Sequence, residues 1–435
     1  MKQFNNRCNQ VSFIILILLT ILTSCKKNKI KPYPIIPTKQ ISFSPSAAFI
    51  GDEITLTGEF DPDKTKNIVS FGGAIALITS ASQTELKVLV PATAKNEKLI
   101  VNVNGVETAS STNFTLYNIF VAGTEYNGGP NKDKSVIKYW KNGILTTLTD
   151  GAHNAFATSM TINDKDVYVL GYENIIGYNN TVKYWKNGIP VSLTDGTKDA
   201  YPVSIKVIGN DVYVTGYEYS NYGWATIVKY WKNGIEVKLS EGLEEAYPSG
   251  IAISGTDVYV VGYAYDDYYN ISPKLWKNGK ESILSQPVGF SYYASDVAVI
   301  GNDVYITGTQ QTVDRSTPIY WKNGVKSIIP TNNSSKFAFT TSIIIKDNSF
   351  YVTGQEQEGT KRTSFYWENG MVQKLSFSTN IGYFTSSPTS VAVIDNNMFV
   401  SGARDNAAAY WRNGTPTLLT DKKYYAFACA IVIAP

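Results

Sequence analysis

The pentapeptide Tyr-Trp-Lys-Asn-Gly, or a close variant, occurs seven times, beginning at Tyr139, Tyr184, Tyr230, Leu275, Tyr320, Tyr366 and Tyr410. The tryptophans of these copies, Trp140, Trp185, Trp231, Trp276, Trp321, Trp367 and Trp411, are 45, 46, 45, 45, 46 and 44 residues apart, and only Trp224 of the chain's eight lies outside the series. A strand-rich unit repeated at this period cannot bury its apolar faces alone and must stack against its neighbours. That is the sequence pattern of a β-propeller.

Residues 203–240 show the repeating unit. Ser204–Ile208 predicts a first strand, Asp211–Gly216 a second, Thr226–Trp231 a third and Ile235–Leu239 a fourth. Asn233-Gly234 suits a type I′ hairpin turn, whose twist matches the flanking strands. The second strand is apolar on both faces, as expected when each sheet is sandwiched between two others. The second strand recurs from Ile119-Phe120-Val121 to Met398-Phe399-Val400, but the first strand runs out of phase: none precedes Ile119, and Ala430–Ile433 ends the chain without a successor. The last strand is therefore expected to complete the first blade. The prediction for residues 118–435 is a seven-bladed β-propeller of four-stranded blades, its ring closed by the C-terminal strand, with no exposed edge at the junction.

Upstream, Ile41–Ser46, Gly51–Gly58, Val69–Gly73, Leu86–Pro91 and Ile100–Gly105 carry alternating strands and tight Gly-Gly and Asn-Gly turns. Residues 41–117 resemble the IPT/TIG family of immunoglobulin-like domains, which implies a β-sandwich serving as a spacer or a mediator of domain contacts. The propeller is expected to follow directly, with almost no linker. Asp61-Pro62-Asp63 is read as a turn rather than a metal loop. The whole is thus an all-β chain, an immunoglobulin-like β-sandwich followed by the propeller.

Residues 1–24 have a basic start (Lys2, Arg7) and a twelve-residue apolar run, Val11–Leu22, short for a bilayer span. The run ends in Leu22-Thr23-Ser24-Cys25, which resembles the lipobox of bacterial lipoproteins. The resemblance implies cleavage before Cys25, acylation of that residue as the link to the lipid bilayer, and a Lys/Pro-rich tether over residues 25–40. Lys26, with no aspartate beside the lipidated residue, resembles lipoproteins sent on to the outer membrane, on either its periplasmic or its surface side.

A formal net charge of +3 from 39 basic and 36 acidic residues argues against a nucleic-acid partner. Three cysteines make no disulfide framework, and Cys429 is expected as a small buried strand residue. No His/Cys metal cluster, serine triad or phosphate-binding glycine loop is present, so no cofactor or metal is expected, and the chain is expected to be a monomer.

Features shared by most blades are expected to be structural, such as the strand tryptophan and the turn lysine, the latter a solvated ring of charge. Phe156, Tyr201, Tyr247, Tyr293, Phe339 and Phe427 recur just before the first strand, and Glu125, Glu173, Glu218 and Glu356 after the second. A binding site must break the repeat. Loops after the second strand carry Tyr219, Tyr222, Trp224, Tyr265 and Tyr268 in blades three and four, and Arg315, Arg362 and Arg404 in blades five to seven. These eight are the candidate ligand-binding residues of a face aromatic on one side and cationic on the other. Such a surface suits a glycan, by ring stacking and hydrogen bonding, or an envelope protein or peptide. Two alternatives stand beside this binding role: a propeller-type glycan hydrolase or lyase, for which Asp296 and His153 are the candidate catalytic residues, and a structural or adhesive envelope protein.

Overall fold

The computed structural model describes residues 40–435 except 127–133, 178, 221–223, 283, 285, 288, 332–336, 347–348, 359–360, 369–370 and 381–388. Cys25 and Tyr222 lie outside the described residues, as does the side chain of Arg362. The chain is all-β and divides into two compact units between Leu116 and Tyr117.

In the first unit, one antiparallel sheet runs Ser42–Ser44, Glu53–Thr57, Glu85–Leu89, Leu77–Ala81, and the other Ala74–Ile75, Asn67–Phe71, Lys98–Val103, Val106–Asn113. Alternation sends Ile54, Leu56, Val88, Val69, Phe71, Val101 and Val103 into one shared core. Phe71 meets Phe114 there edge to face, ring centroids 4.9 Å apart. Asp61-Pro62-Asp63 is a turn: Asp61 Oδ1 accepts from the Asp63 amide and Asp63 Oδ1 from that of Thr65.

In the second unit, the second, third and fourth repeats each form an antiparallel four-stranded sheet in chain order; the third, for example, runs Ala200–Ile208, Asp211–Tyr219, Thr226–Lys232, Ile235–Lys238. A further such sheet comprises Ser390–Ile394, Asn397–Arg404, Ala407–Arg412 and Thr415–Leu418. The fifth and sixth repeats share one eight-stranded sheet through a single parallel pairing, Ser316 with Phe337. In the first repeat, Thr115–Glu125 pairs with Val136–Lys141 on one side and with the C-terminal strand Ala426–Ala434 on the other, in a register running from Asn118↔Ala434 to Glu125↔Ala426.

Buried clusters form between consecutive repeats, which is why the second strands are apolar on both faces. The first strands pack in succession: Ala155–Asn163 on Ala200–Ile208, then on through the later repeats to Ser390–Ile394, which packs on the C-terminal strand. That strand packs in turn on Ala155–Asn163, so the order returns to its start. All seven repeat tryptophans are buried, whereas Trp224 is 62% exposed. The turns after them have Asn142, Asn187, Asn233, Asn278, Asn323 and Asn413 at φ 49–52° and the following glycines at 80–86°, the positive pair that type I′ requires.

One expectation is corrected. Tyr201 and its counterparts lie inside the first strands, not before them, and Tyr219 and Tyr265 lie inside the second strands, not in loops, together with Tyr172, Tyr217 and Tyr263. Arg404 likewise ends a second strand, and Arg362 lies in the strand Lys361–Glu368. The ladder continues past its expected end through a β-bulge in the first strand, between Pro202 and Ser204 in the third repeat and at equivalent points elsewhere. Opposite each bulge stands a glycine. A Cβ on Gly216 or Gly262 would lie 2.4 or 2.1 Å from the carbonyl oxygen of Tyr201 or Tyr247.

Candidate functional site

The two ends of the repeat strands differ in chemistry. At the Asn-Gly end, Lys186, Lys232, Lys277 and Lys322 each reach an aspartate of the neighbouring turn, Asp166, Asp211, Asp257 and Asp303, at 2.8–2.9 Å. Each also lies over a tyrosine ring, Tyr168, Tyr213, Tyr259 and Tyr305 respectively. In these four repeats the lysines expected to be solvated are half-exposed ion-pair partners, because the short turns of adjacent strands bring the two charges to the same edge.

At the other end the bulges bring aromatic side chains of the first and second strands into one series. Ring centroids follow one another from Tyr126 to Phe156 (5.7 Å), Tyr172 (5.3 Å), Tyr201 (5.5 Å), Tyr217 (5.2 Å), Tyr247 (4.9 Å), Tyr263 (5.7 Å) and Tyr293 (5.0 Å). Tyr425 and Phe427 extend it beyond Tyr126. Most of these pairs are tilted or edge-to-face, the arrangements that ring quadrupoles favour. Burial pushes the Tyr172 and Tyr293 phenols up to about 12, and those of Tyr217 and Tyr247 up as well, so phenols that are neutral at pH 7 in any case stay neutral further into the alkaline range. The Tyr247 hydroxyl donates to Glu245 Oε1 at 2.8 Å.

Three of the recurring glutamates are buried or largely buried ion-pair partners. Glu125 meets Lys138 at 2.7 Å, Glu173 meets Lys183 at 2.5 Å and Glu218 meets Lys229 at 2.6 Å. Each ties a second strand to the third strand beside it, which is a structural duty.

Two cavities adjoin this scaffold. One, of about 560 Å³, runs along the first strands and the C-terminal strand, with Ser204, Lys206, Asp296, Ser342, Thr389 and Cys429 among its walls. Asp296 lies deep among these strands but is only half-buried, since one side of it faces this channel. Its Oδ2 accepts from the Ser342 hydroxyl at 2.8 Å and the Ile343 amide at 3.1 Å, and its Oδ1 from the Val297 amide at 2.8 Å. Burial raises its pKa, with Lys206 and these donors acting the other way. Asp296 thus ties the fifth repeat to the sixth, and it is the one carboxylate among the described residues lining this channel. The Cys429 thiol, its pKa pushed up to about 12 by burial, donates to the Ala122 carbonyl at 3.4 Å. The second cavity, of about 400 Å³, opens at the end of the aromatic series, against Tyr263, Tyr293 and Phe339.

Of the residues named from sequence, Tyr219 and Tyr265 join the aromatic series, Tyr219 edge-on to Tyr201 and Tyr217, and Tyr265 edge-on to Tyr247 and Tyr263. Trp224 and Tyr268 are exposed and make no ring contact among the described residues. Arg315 and Arg404 are exposed, with Arg404 Nε 3.8 Å from Asp405. His153 is exposed and lines neither cavity. Sequence reasoning did not single out Tyr126, Tyr425 or the bulge glycines. The signal was present in the recurrent glycine of the second strands (Gly123, Gly171, Gly216, Gly262, Gly308, Gly354), which has no turn to explain it.

Residues 41–117 match the IPT/TIG domain family. Among curated protein sequences, none is significantly similar to this chain. A protein of unknown function from Bacteroides thetaiotaomicron is similar in structure at 11% identity and a TM-score of 0.40, covering 92% of this chain and 100% of its own. An auxiliary nutrient binding protein from Bacteroides ovatus is similar at 12% identity and a TM-score of 0.40, covering 93% and 100%. TolB from Acinetobacter baumannii is similar at 9% identity and a TM-score of 0.39, covering 70% and 78%.

Proposed function

We propose that this chain is a lipid-anchored envelope protein whose second unit is a seven-bladed β-propeller, closed by the C-terminal strand, that binds a glycan on its aromatic face. The uncharged aromatic series, confined to one end of the strands, carries the reading. Aromatic faces offer apolar contact to the C–H faces of sugars, while tyrosine hydroxyls and nearby amides take the sugar hydroxyls. The cyclic packing order of the first strands and the pairing of Ala426–Ala434 with Thr115–Glu125 support the closed ring. The anchor rests on the Leu-Thr-Ser-Cys25 motif, with the outer membrane as the proposed site.

The test is a glycan array probed with the full chain, followed by titration of the best ligand. Binding of at least one glycan class is expected, about tenfold weaker in Trp224→Ala, whose exposed ring has no packing to lose. An array that stays blank while a pull-down from envelope extract captures a protein would replace the glycan by a protein partner.

A further inference from the structure

The aromatic series stops at Tyr293, and two substitutions in the fifth repeat leave the next space without a ring. In the second, third and fourth repeats, the residue after the bulge glycine is Tyr172, Tyr217 and Tyr263, paired in register with Phe156, Tyr201 and Tyr247. Each of these tyrosines contacts the first-strand aromatic of its own repeat and that of the next, filling the space between them. The first repeat has Thr124 at this position, paired with Phe427, and there the ring of Tyr126, two residues on, lies between Phe427 and Phe156 instead. The fifth repeat has Thr309, paired with Tyr293, and at the position of Tyr126 it has Gln311. Neither can supply a ring, and among the described residues no ring contact joins Tyr293 to Phe339. The 400 Å³ cavity lies at this place, lined by Tyr293, Phe339, Thr309, Gln311, Ser295 and Thr340.

We infer that this slot is a subsite for a single pyranose ring, held between Tyr293 and Phe339 where the first four repeats hold a tyrosine. The inference deepens the glycan-binding reading and rests on it. The rings at the two ends give the apolar contact, and the cavity is at the lower end of the size range of small-molecule sites. Its polar wall groups are neutral hydroxyls and an amide, without a lysine, arginine or carboxylate among the lining residues. Ser295 and Thr340 already share a hydrogen bond at 3.1 Å, and Thr309 Oγ1 accepts from the Thr340 amide at 3.3 Å, so the hydroxyls are fixed in place. The Gln311 amide offers a donor and an acceptor side by side, which matches a pair of adjacent sugar hydroxyls. A charged ligand has no counter-ion here.

The experiment is saturation-transfer NMR on the full chain with methyl glycosides of glucose, galactose, mannose and xylose, and with phenol as the aromatic comparison. At least one glycoside should bind, with saturation concentrated on the C–H protons of its faces. Thr309→Tyr, which copies the arrangement of Tyr172, and Gln311→Tyr, which copies that of Tyr126, should each weaken that binding tenfold or more while leaving the melting temperature unchanged or raised. Phe339→Ala should weaken it about fivefold. No signal from any glycoside at tens of millimolar, or binding that persists in both filled variants, overturns the subsite. So does binding of phenol alone with loss in the filled variants, which would make the slot an aromatic-ring site. If the filled variants keep wild-type binding on the glycan array, the subsite falls while the glycan-binding reading stands; a blank array overturns the broader reading.

Discussion

Removing Ala430–Pro435 tests whether the last strand holds the second unit together. The deleted segment supplies buried Ala430, Ile431 and Ala434 and pairs with Asn118–Ala122. Ordering six residues costs about 1–2 kcal/mol each, which roughly offsets the burial of the segment's own side chains. The net loss is therefore what the deletion uncovers on its neighbours. The segment packs among Phe120, Ile137 and Met160 on one side and on the strand Ser390–Ile394 with Val391 on the other. Partial exposure of such side chains, at about 1.5–3 kcal/mol for each fully buried one, amounts to roughly 4–8 kcal/mol.

That is a large part of the 5–15 kcal/mol typical of a folded domain. For a unit of this size it corresponds to a fall in melting temperature of roughly 6–12 °C. Circular dichroism melts of the full and truncated chains give the comparison, with near-ultraviolet signals from the buried tryptophans reporting on the second unit. A truncated chain that melts cooperatively within about 2 °C of the full one refutes the argument. It would mean that the packing between the last and first repeats adds nothing to stability, and the closed ring would fall with it.

Three further outcomes follow from particular contacts. Gly262→Ala places a Cβ 2.1 Å from the Tyr247 carbonyl, which the paired strands cannot move, and should cost about 3 kcal/mol or more in urea unfolding; Gly255→Ala, at φ +57° in open space, should cost only about 1–2 kcal/mol. Glu218→Gln leaves buried Lys229 with Glu236 alone and should cost about 2–4 kcal/mol, whereas Lys322→Met, which removes an exposed pair, should leave the urea midpoint where it was. Asp296 has a folded pKa above its unfolded value, so the unfolded state releases this proton first and the group's contribution to stability is lost as pH rises through the folded pKa. The stability difference between wild type and Asp296→Asn should therefore shift against the wild type as pH rises above about 4, the ordinary aspartate value; a difference independent of pH would show that the carboxyl titrates alike in both states.

How much of this was legible in the sequence depends on whether a feature is local or arises between strands. The repeat, the Asn-Gly turns and the alternation in residues 41–117 are local patterns, and strands formed at them, although first and second strands of the repeats run further than the patterns marked. The bulge is not local: Pro202 and Gly216 are far apart in the chain, and only their pairing shows why that glycine carries no side chain. Without the bulge, the local pattern ends the strands too early and leaves the tyrosines in loops. Broken symmetry led first to exposed exceptions such as Trp224 and Arg315. The exception that opens a cavity is quieter. Thr309 and Gln311 are ordinary polar residues until Tyr172, Tyr217 and Tyr263 are seen to fill the equivalent spaces, and Tyr126 to fill one from the neighbouring position. A missing ring has no residue of its own to mark it in a sequence; it becomes visible as the difference between two registers, Thr124 with Tyr126 in one repeat and Thr309 with Gln311 in another. Under the proposed glycan-binding reading, the specificity of this face is governed by the polar side chains at those two positions more than by the tyrosines that dominate its composition.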